Sequence, residues 1–246
     1  IMPTASLPAY LAEDILLHPE KREFPPFDLI RLLGTVFKPT QGCRVCILTD
    51  FDDPATLMKG FAFLGRDGFP VQKKAHEVFY LGLRNGALDK LGMSGGEMFA
   101  YKITGGSNLD LPDACVTPDG RTLSLEKDVY PNYDLILCIS TFSATAPLTA
   151  FAKKYGFRGA TLHGLNDIIL RSGLAVDYDE VSREAEKLRL GMTKADAVEI
   201  DFAFLDRLTT LRLELGQQEA QKSHGLCHTP GEIANLPAGE IDWVPT

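Results

Sequence analysis

The segment from Lys222 to Thr246 concentrates the residue types that build binding sites. It holds two histidines, one cysteine, three acids, three glycines and three prolines. Among the acids, Glu240 ends the turn Asn-Leu-Pro-Ala-Gly and precedes the apolar run Ile241 to Val244. Because proline fixes the backbone path and glycine permits tight turns, a carboxylate here would be held in place as a metal ligand or a general base. The competing interpretation is an exposed acid on a hairpin loop, which is the commoner role of a single loop carboxylate.

A second group of candidate metal ligands lies in the same segment. His224, Cys227 and His228 have the local spacing of metal ligands. A closed structural zinc site needs four ligands, and no fourth is evident near these three in the sequence. The spacing therefore favours loop packing or the lining of a substrate cleft.

Cys43 and Cys46 have the CxxC spacing of redox-active pairs. In redox proteins this pair follows a strand and begins a helix. Here it leads into the apolar run Arg44 to Leu48, which predicts a strand, so both cysteines are interpreted as packing residues.

Short apolar runs predict the strands that must position these side chains. The runs are Arg44 to Leu48, Met98 to Ile103, Tyr133 to Ser140 and Gly159 to Leu162. They alternate with segments of helical periodicity, which predicts an α/β fold with a parallel or mostly parallel sheet flanked by helices. Arg44 to Leu48 and Leu135 to Ile139 are apolar throughout and should be inner strands. The helices are expected around Ala9 to Leu17, Phe27 to Phe37, Pro54 to Leu64, Lys73 to Leu91 with a break at Asn85-Gly86, Ala146 to Tyr155, Asn166 to Gly173 and Tyr178 to Met192.

Ligands of parallel sheets favour the carboxyl ends of the strands. Four polar residues fall at those ends: Asp50, Thr104, Ser140 and His163. No glycine fingerprint of a dinucleotide site accompanies them, so no such cofactor is expected there.

The periodicity changes after residue 193. Ala197 to Phe204 and Leu208 to Leu215 alternate with the period of strands, which predicts an antiparallel hairpin. Residues 1–193 are therefore expected to form an N-terminal α/β domain, and residues 194–246 the beginning of a β-rich C-terminal domain. Because this second part contains no helix to cover its strands, we expect it to be incomplete, with exposed apolar surface.

Composition restricts the class of protein. The chain has 246 residues, of which 45% are hydrophobic, and a formal net charge of −8. Such a charge argues against nucleic acid and anionic membranes as partners, because both attract basic surfaces. The absence of a signal peptide and of an apolar run that would span a bilayer predicts a cytoplasmic protein. The five cysteines fit reduced thiols in that compartment.

Three segments carry a resemblance to a known family. They are GFRGATLHGLNDIILRSGLAVDYDEV, KLRLGMTKADAVEI and ANLPAGEIDWVP. Together they resemble the aminopeptidase T (leucyl aminopeptidase-like) family of metallopeptidases, in order, from about Tyr155 to Thr246. In several members the last Glu of a similar turn is the first ligand of a paired metal centre, and on that match Glu240 inherits the role. The chain departs from the family at Gly239, where many members have another Glu.

The resemblance implies a metal-dependent hydrolase that removes N-terminal residues from peptides or acts on a small-molecule substrate. It implies two divalent metal ions per site, with Zn, Co and Mn as candidates, and a homodimer. The family's other ligands are a second Glu, a Tyr, two His and an Asp, and they follow the turn beyond Thr246. The 246-residue chain is therefore expected to lack most metal ligands and to be inactive.

Two alternatives share parts of this prediction. Ring-cleaving dioxygenases of the dihydroxypyridine type resemble the same family and use non-haem iron, held by two His and one carboxylate. The other alternative is a non-catalytic module for binding or dimerisation.

Overall fold

A computed structural model of the chain describes residues 24–204 and 207–243, so the helix expected around Ala9 to Leu17 lies outside the described residues. The strands are β1 (Arg44–Phe51), β2 (Ser94–Lys102), β3 (Ala114–Val116), β4 (Thr122–Ser124), β5 (Leu135–Cys138), β6 (Arg158–Thr161), β7 (Ala197–Phe204), β8 (Arg207–Glu214), β9 (Gln221–Ser223), β10 (Ile233–Asn235) and β11 (Glu240–Asp242).

The helices are mostly short. They are α1 (Leu29–Phe37), α2 (Pro54–Met58), α3 (Pro70–Lys74), α4 (Leu88–Leu91), α5 (Thr145–Tyr155), α6 (Asp167–Arg171) and α7 (Tyr178–Lys194). Two π-helical stretches, Ala75–Tyr80 and Leu83–Ala87, fill most of the chain between α3 and α4. Four helices begin at an acid or amide whose side chain accepts hydrogen bonds from the first-turn N–H groups, which fixes their start. These caps are Asp28, Asp53, Asn166 and Asp177.

Seven strands form one sheet in the order β10-β6-β5-β1-β2-β3-β4. The ladders from β10 to β2 are parallel, and β3 and β4 add antiparallel pairs at one edge. The predicted α/β fold with a mostly parallel sheet is confirmed. The two apolar runs expected inside the sheet are its inner strands β1 and β5, and every residue of β5 is buried.

Both faces of the sheet are covered. Along β1, Val45 and Ile47 belong to one hydrophobic cluster, whereas Cys46 and Leu48 belong to another on the opposite face. This alternation follows from the two-residue period of a strand buried on both sides. All five cysteines are free and buried. Burial raises the pKa of both Cys43 and Cys46, which fits packing residues better than a redox pair.

Two departures from the sequence prediction have local causes. The helix expected from Pro54 to Leu64 ends at Met58, because Gly60 and Phe61 adopt left-handed conformations with φ of 58° and 55°. The short strands β3 and β4 were not predicted, since three residues are too few to display a period.

The predicted antiparallel hairpin is confirmed as β7 paired with β8. Several of its apolar side chains are exposed, as expected for this part of the chain. The exposed members are Ile200 (38%), Phe202 (52%), Leu208 (64%) and Leu211 (43%). A strand from beyond residue 194, β10, joins the main sheet next to β6. The division of the chain into 1–193 and 194–246 stays a prediction.

A buried carboxylate links the two central strands where the strand order reverses. Asp50, at the end of β1, is 1% exposed. It accepts hydrogen bonds from the Thr141 N–H (2.9 Å), the Thr141 hydroxyl (3.1 Å) and Gln72 Nε2 (2.8 Å). Burial raises the pKa of Asp50, and these hydrogen bonds oppose that shift. The carboxylate therefore holds the chain after β5 against the end of β1.

Replacing Thr141 by Val should test this link. The variant keeps the backbone N–H but removes the hydroxyl donor, so we expect a loss of about 1–2 kcal/mol in the free energy of unfolding, measured with urea. Thr122→Val, on the exposed edge strand β4, is the control and should change stability by less than about 0.5 kcal/mol. Equal effects of the two variants would contradict a structural role for the Asp50–Thr141 contact.

Candidate functional site

The turn that carries Glu240 is fastened at its start to the main sheet. Asn235 ends β10, and its side-chain oxygen accepts a hydrogen bond from the Thr161 hydroxyl at 3.2 Å. The next residue, Leu236, is buried and donates its N–H to the Thr161 carbonyl oxygen at 2.9 Å. The beginning of the turn is thus held by both the backbone and the side chain of one residue of β6.

The end of the turn is fastened to a second, two-stranded sheet. The Gly239 N–H donates to the Ser223 carbonyl oxygen at 2.8 Å. β11 then pairs antiparallel with β9, which places Glu240 opposite Ser223. Gly239 has a φ of 132°, a conformation that favours glycine. A residue with a side chain would be strained at this position.

The two-stranded sheet is tied to helix α7 by charged side chains. Glu186 of α7 accepts hydrogen bonds from Arg189 at 2.8 Å and lies 2.9 Å from the Lys222 ammonium of β9. Arg189 also contacts Glu219 at 2.7 Å. The hydrogen bonds from Arg189 and then Lys222 lower the pKa of Glu186 to about 2. The ion pairs therefore link α7 to the strand that faces Glu240.

Glu240 itself is exposed and has no hydrogen bond or ion pair with any side chain within residues 24–204 and 207–243. A carboxylate on an anchored turn without an internal partner is available to a ligand. Its negative charge suits a metal ion or another cation.

The surroundings of Glu240 do not complete a metal site. In the described part of the chain, no group of three or more His, Cys, Asp or Glu side chains is arranged to hold a metal ion. One carboxylate gives little affinity for a divalent ion, so the described residues alone do not fit a metal pair.

His224, Cys227 and His228 make separate contacts instead of converging. Cys227 is buried, its thiol donates to the Glu232 carbonyl oxygen, and burial raises its pKa to about 11. His224 Nδ1 accepts the Leu226 N–H at 3.3 Å, whereas His228 Nε2 lies 3.1 Å from the Thr35 carbonyl oxygen. These contacts agree with the loop packing and cleft lining that the sequence favoured.

The three residues line a cleft of about 520 Å³ beside the edge strand β10. Its walls come from α5, the loop after β9, and β10 itself. The polar lining residues include Thr149, Lys153, Ser223, His224, Glu232 and Asn235. Ser223 connects the cleft to Glu240, its partner across the β9–β11 ladder. Lys153 was not recognisable from the sequence, because an isolated lysine on a helix is normally only a solvated side chain.

His224 is an uncharged donor in this cleft. Burial lowers its pKa, so the ring is neutral at pH 7. Because Nδ1 accepts the Leu226 N–H, the remaining proton is on Nε2. The ring therefore offers an N–H group to a ligand.

Three of the four strand-end candidates have side chains that form hydrogen bonds within the fold. The Asp50 carboxylate accepts hydrogen bonds from Thr141 and Gln72. The Thr104 hydroxyl donates to the Gly106 carbonyl oxygen and the Ser140 hydroxyl to that of Phe142. His163 is exposed after β6. The structure does not bring these residues together with Glu240 into one site.

Close packing under the turn can be tested at Gly173. A Cβ added there would lie 2.6 Å from Cβ of Pro237. We expect Gly173→Ala to push the turn outward and to cost about 1–3 kcal/mol of unfolding free energy in a urea titration. Gly191→Ala is the control, because a Cβ at this position of α7 meets no atom within 4 Å and should stabilise the helix by about 0.5–1 kcal/mol. A Gly173→Ala protein as stable as the wild type would refute the close contact.

The tie between α7 and β9 should depend on pH. Since the pKa of Glu186 falls from its ordinary 4.5 to about 2 on folding, its stabilising contribution is present above pH 4.5 and is lost as the pH falls towards 2. Glu186→Gln should therefore lower the melting temperature at pH 7, and the difference from the wild type should shrink with acidification. Glu184→Gln is the control, because Glu184 pairs only with Lys187 of its own helix among the described residues. If both variants lower the melting temperature equally, the contact between Glu186 and Lys222 contributes nothing to stability.

Comparison of the chain with family models, with curated proteins and with solved structures found no match. The resemblance to aminopeptidase T therefore rests on the residues of the chain itself.

Proposed function

We propose that the chain is part of a metal-dependent, aminopeptidase-like hydrolase and that Glu240 is one of its metal ligands. The observation that carries the proposal is the state of Glu240: its carboxylate is exposed and unpartnered among the described residues, on a turn anchored at both ends. The position in the ANLPAGE turn is the one that binds metal in the family that the chain resembles.

Anchoring of the turn matters because a metal-binding side chain that is already fixed loses little conformational entropy when the metal binds. The turn is held by Thr161 at one end and Ser223 at the other. In contrast, an exposed Glu on a long helix would have to be ordered by the metal. A bound pair of divalent ions would supply Lewis acidity and a nucleophilic hydroxide at neutral pH. The contribution of this chain is a negative charge at a defined position, and the proposal takes the remaining ligands from residues that follow the turn in the family.

We further propose that the protein is cytoplasmic and acts on a peptide or small-molecule substrate. It is compatible with the net charge of −8, which disfavours nucleic acid and anionic membranes. None of the helices in the described ranges is long and apolar enough to cross a membrane.

A second candidate function is association with another chain, as in a binding or dimerisation module. The exposed apolar side of the β7–β8 hairpin favours it, because the exposed side chains of Ile200, Phe202 and Leu211 share one face of the hairpin and form the kind of surface that partners cover. A homodimer is compatible with both candidates.

Metal content separates these functions. In the full-length protein, Glu240→Gln keeps the shape of the side chain and removes its charge, so metal bound per chain and peptidase turnover should each fall at least about tenfold. Glu232→Gln is the matched control, because Glu232 belongs to the same segment but its carboxylate already accepts the Thr229 N–H. Atomic emission and leucyl-substrate hydrolysis would be measured for both. A Glu240→Gln protein with full metal and full rate would leave Glu240 as an ordinary exposed acid.

The 246-residue chain alone gives a complementary measurement. A single carboxylate does not form a metal site, so we expect no cleavage of leucyl substrates by this form. Robust cleavage that a chelator abolishes would mean that the described residues contain ligands other than those recognised above.

A further inference from the structure

The outer side of β10 is an open sheet edge. Two hydrogen bonds fix which of its backbone groups face β6: the Gly159 N–H donates to the Glu232 carbonyl oxygen, and the Leu236 N–H donates to that of Thr161. Because backbone groups alternate along a strand, Ala234 also faces β6, whereas Ile233 and Asn235 face away from it. In the described part of the chain, neither of these two residues has a backbone hydrogen bond on that outer side.

This open edge forms one wall of the cleft. All three residues of β10 line it and are half-buried. The volume of about 520 Å³ falls within the range of about 300–1,000 Å³ that small ligands occupy. The edge is therefore neither covered by the loop after β9 nor fully open to solvent, and an extended segment a few residues long would fill the space.

We infer that this cleft binds an extended peptide segment, which adds as a further strand to β10. The backbone N–H and C=O groups of Ile233 and Asn235 would pair with the peptide main chain, so recognition would depend little on its side chains. Such binding would require neither hydrolysis of the peptide nor a metal ion at Glu240.

Two side chains define the polar character of the occupant. The Nε2–H of His224 is a donor for a peptide carbonyl oxygen, since the ring is neutral and its Nδ1 is already used. Lys153 of α5 is exposed and forms no ion pair with the described residues, whereas the neighbouring Lys154 is paired with Glu126. Lys222 also lines the cleft but is paired with Glu186. The free ammonium of Lys153 favours a peptide with an acidic residue.

The test uses a fluorescein-labelled pentapeptide of sequence TVTVE and the 246-residue chain, with a chelator present so that no hydrolysis interferes. Binding is measured by fluorescence anisotropy. Two further peptides carry N-methyl groups either on the second and fourth residues or on the third and fifth. Only one edge of an added strand faces β10, so one methylated peptide should bind at least about tenfold more weakly, while the other keeps its affinity within about twofold.

Each protein variant is compared with a control variant at the same or the neighbouring position. Ile233→Pro removes the outward N–H, and Ile233→Ala removes the same side chain but keeps the N–H, so only the proline variant should weaken binding by about fivefold or more. Lys153→Ala should weaken binding about two- to fivefold, and Lys154→Ala should leave it unchanged. Far-ultraviolet circular dichroism checks the fold of each variant, and the methylated peptides test the proposal on the wild-type chain if the proline variant does not fold.

Equal binding of both methylated peptides would overturn the inference, as would the absence of measurable binding of the unmodified peptide. Binding that is lost on Glu240→Gln but indifferent to methylation would place the peptide at the metal ligand and not at β10. If one methylated peptide binds more weakly than the other, but Glu240→Gln does not change the metal content of the protein, the peptide site at β10 is supported and the metal proposal is refuted.

Discussion

The main-chain pairing of β10 with β6 is the constraint on which the candidate site depends. Only three residue pairs form this ladder, and it ends with the bond from Leu236 to Thr161. Before this ladder, the segment is held by the N–H groups of Cys227 and Gly231, which donate to the carbonyl oxygens of Val36 and Phe157. Without the ladder, the Glu240 turn would keep only its anchor to Ser223, and the cleft would lose the wall formed by β10. A few backbone hydrogen bonds at a sheet edge therefore determine the geometry of a region that is rich in glycine and proline.

Two acids of the chain illustrate how environment separates a carboxylate that is committed to the fold from one that is free to bind a ligand. Asp50 lies at the ligand-favoured end of a central strand, but Thr141 and Gln72 saturate its oxygens and it is buried. Glu240 lies on the periphery and has no such partners among the described residues. A position at the carboxyl end of a strand is therefore weak evidence that a side chain binds a ligand. It must also be asked whether the side chain already has hydrogen-bond partners within the protein.

The sequence predicted the parallel sheet, its two inner strands and the β7–β8 hairpin, because long apolar or alternating runs have a readable period. It did not predict β3, β4 or β10, which have three residues each. The Glu240 turn was recognisable from its proline, its glycine and the acid that follows. The cleft was not recognisable, since its walls come from residues as far apart as Thr149 and Asn235 and only the topology brings them together.

The shortness of β10 couples ligand binding in the cleft to ligand binding at the Glu240 turn. A three-residue edge strand opens locally at a small free-energy cost, compared with an inner strand such as β5. A strand bound in the cleft and a cation bound at Glu240 would both require β10 and the turn after it to be ordered. Because the turn is already anchored at both ends, this shared ordering cost is small, and by thermodynamic linkage the two affinities would rise together only slightly, without any change in the shape of the fold.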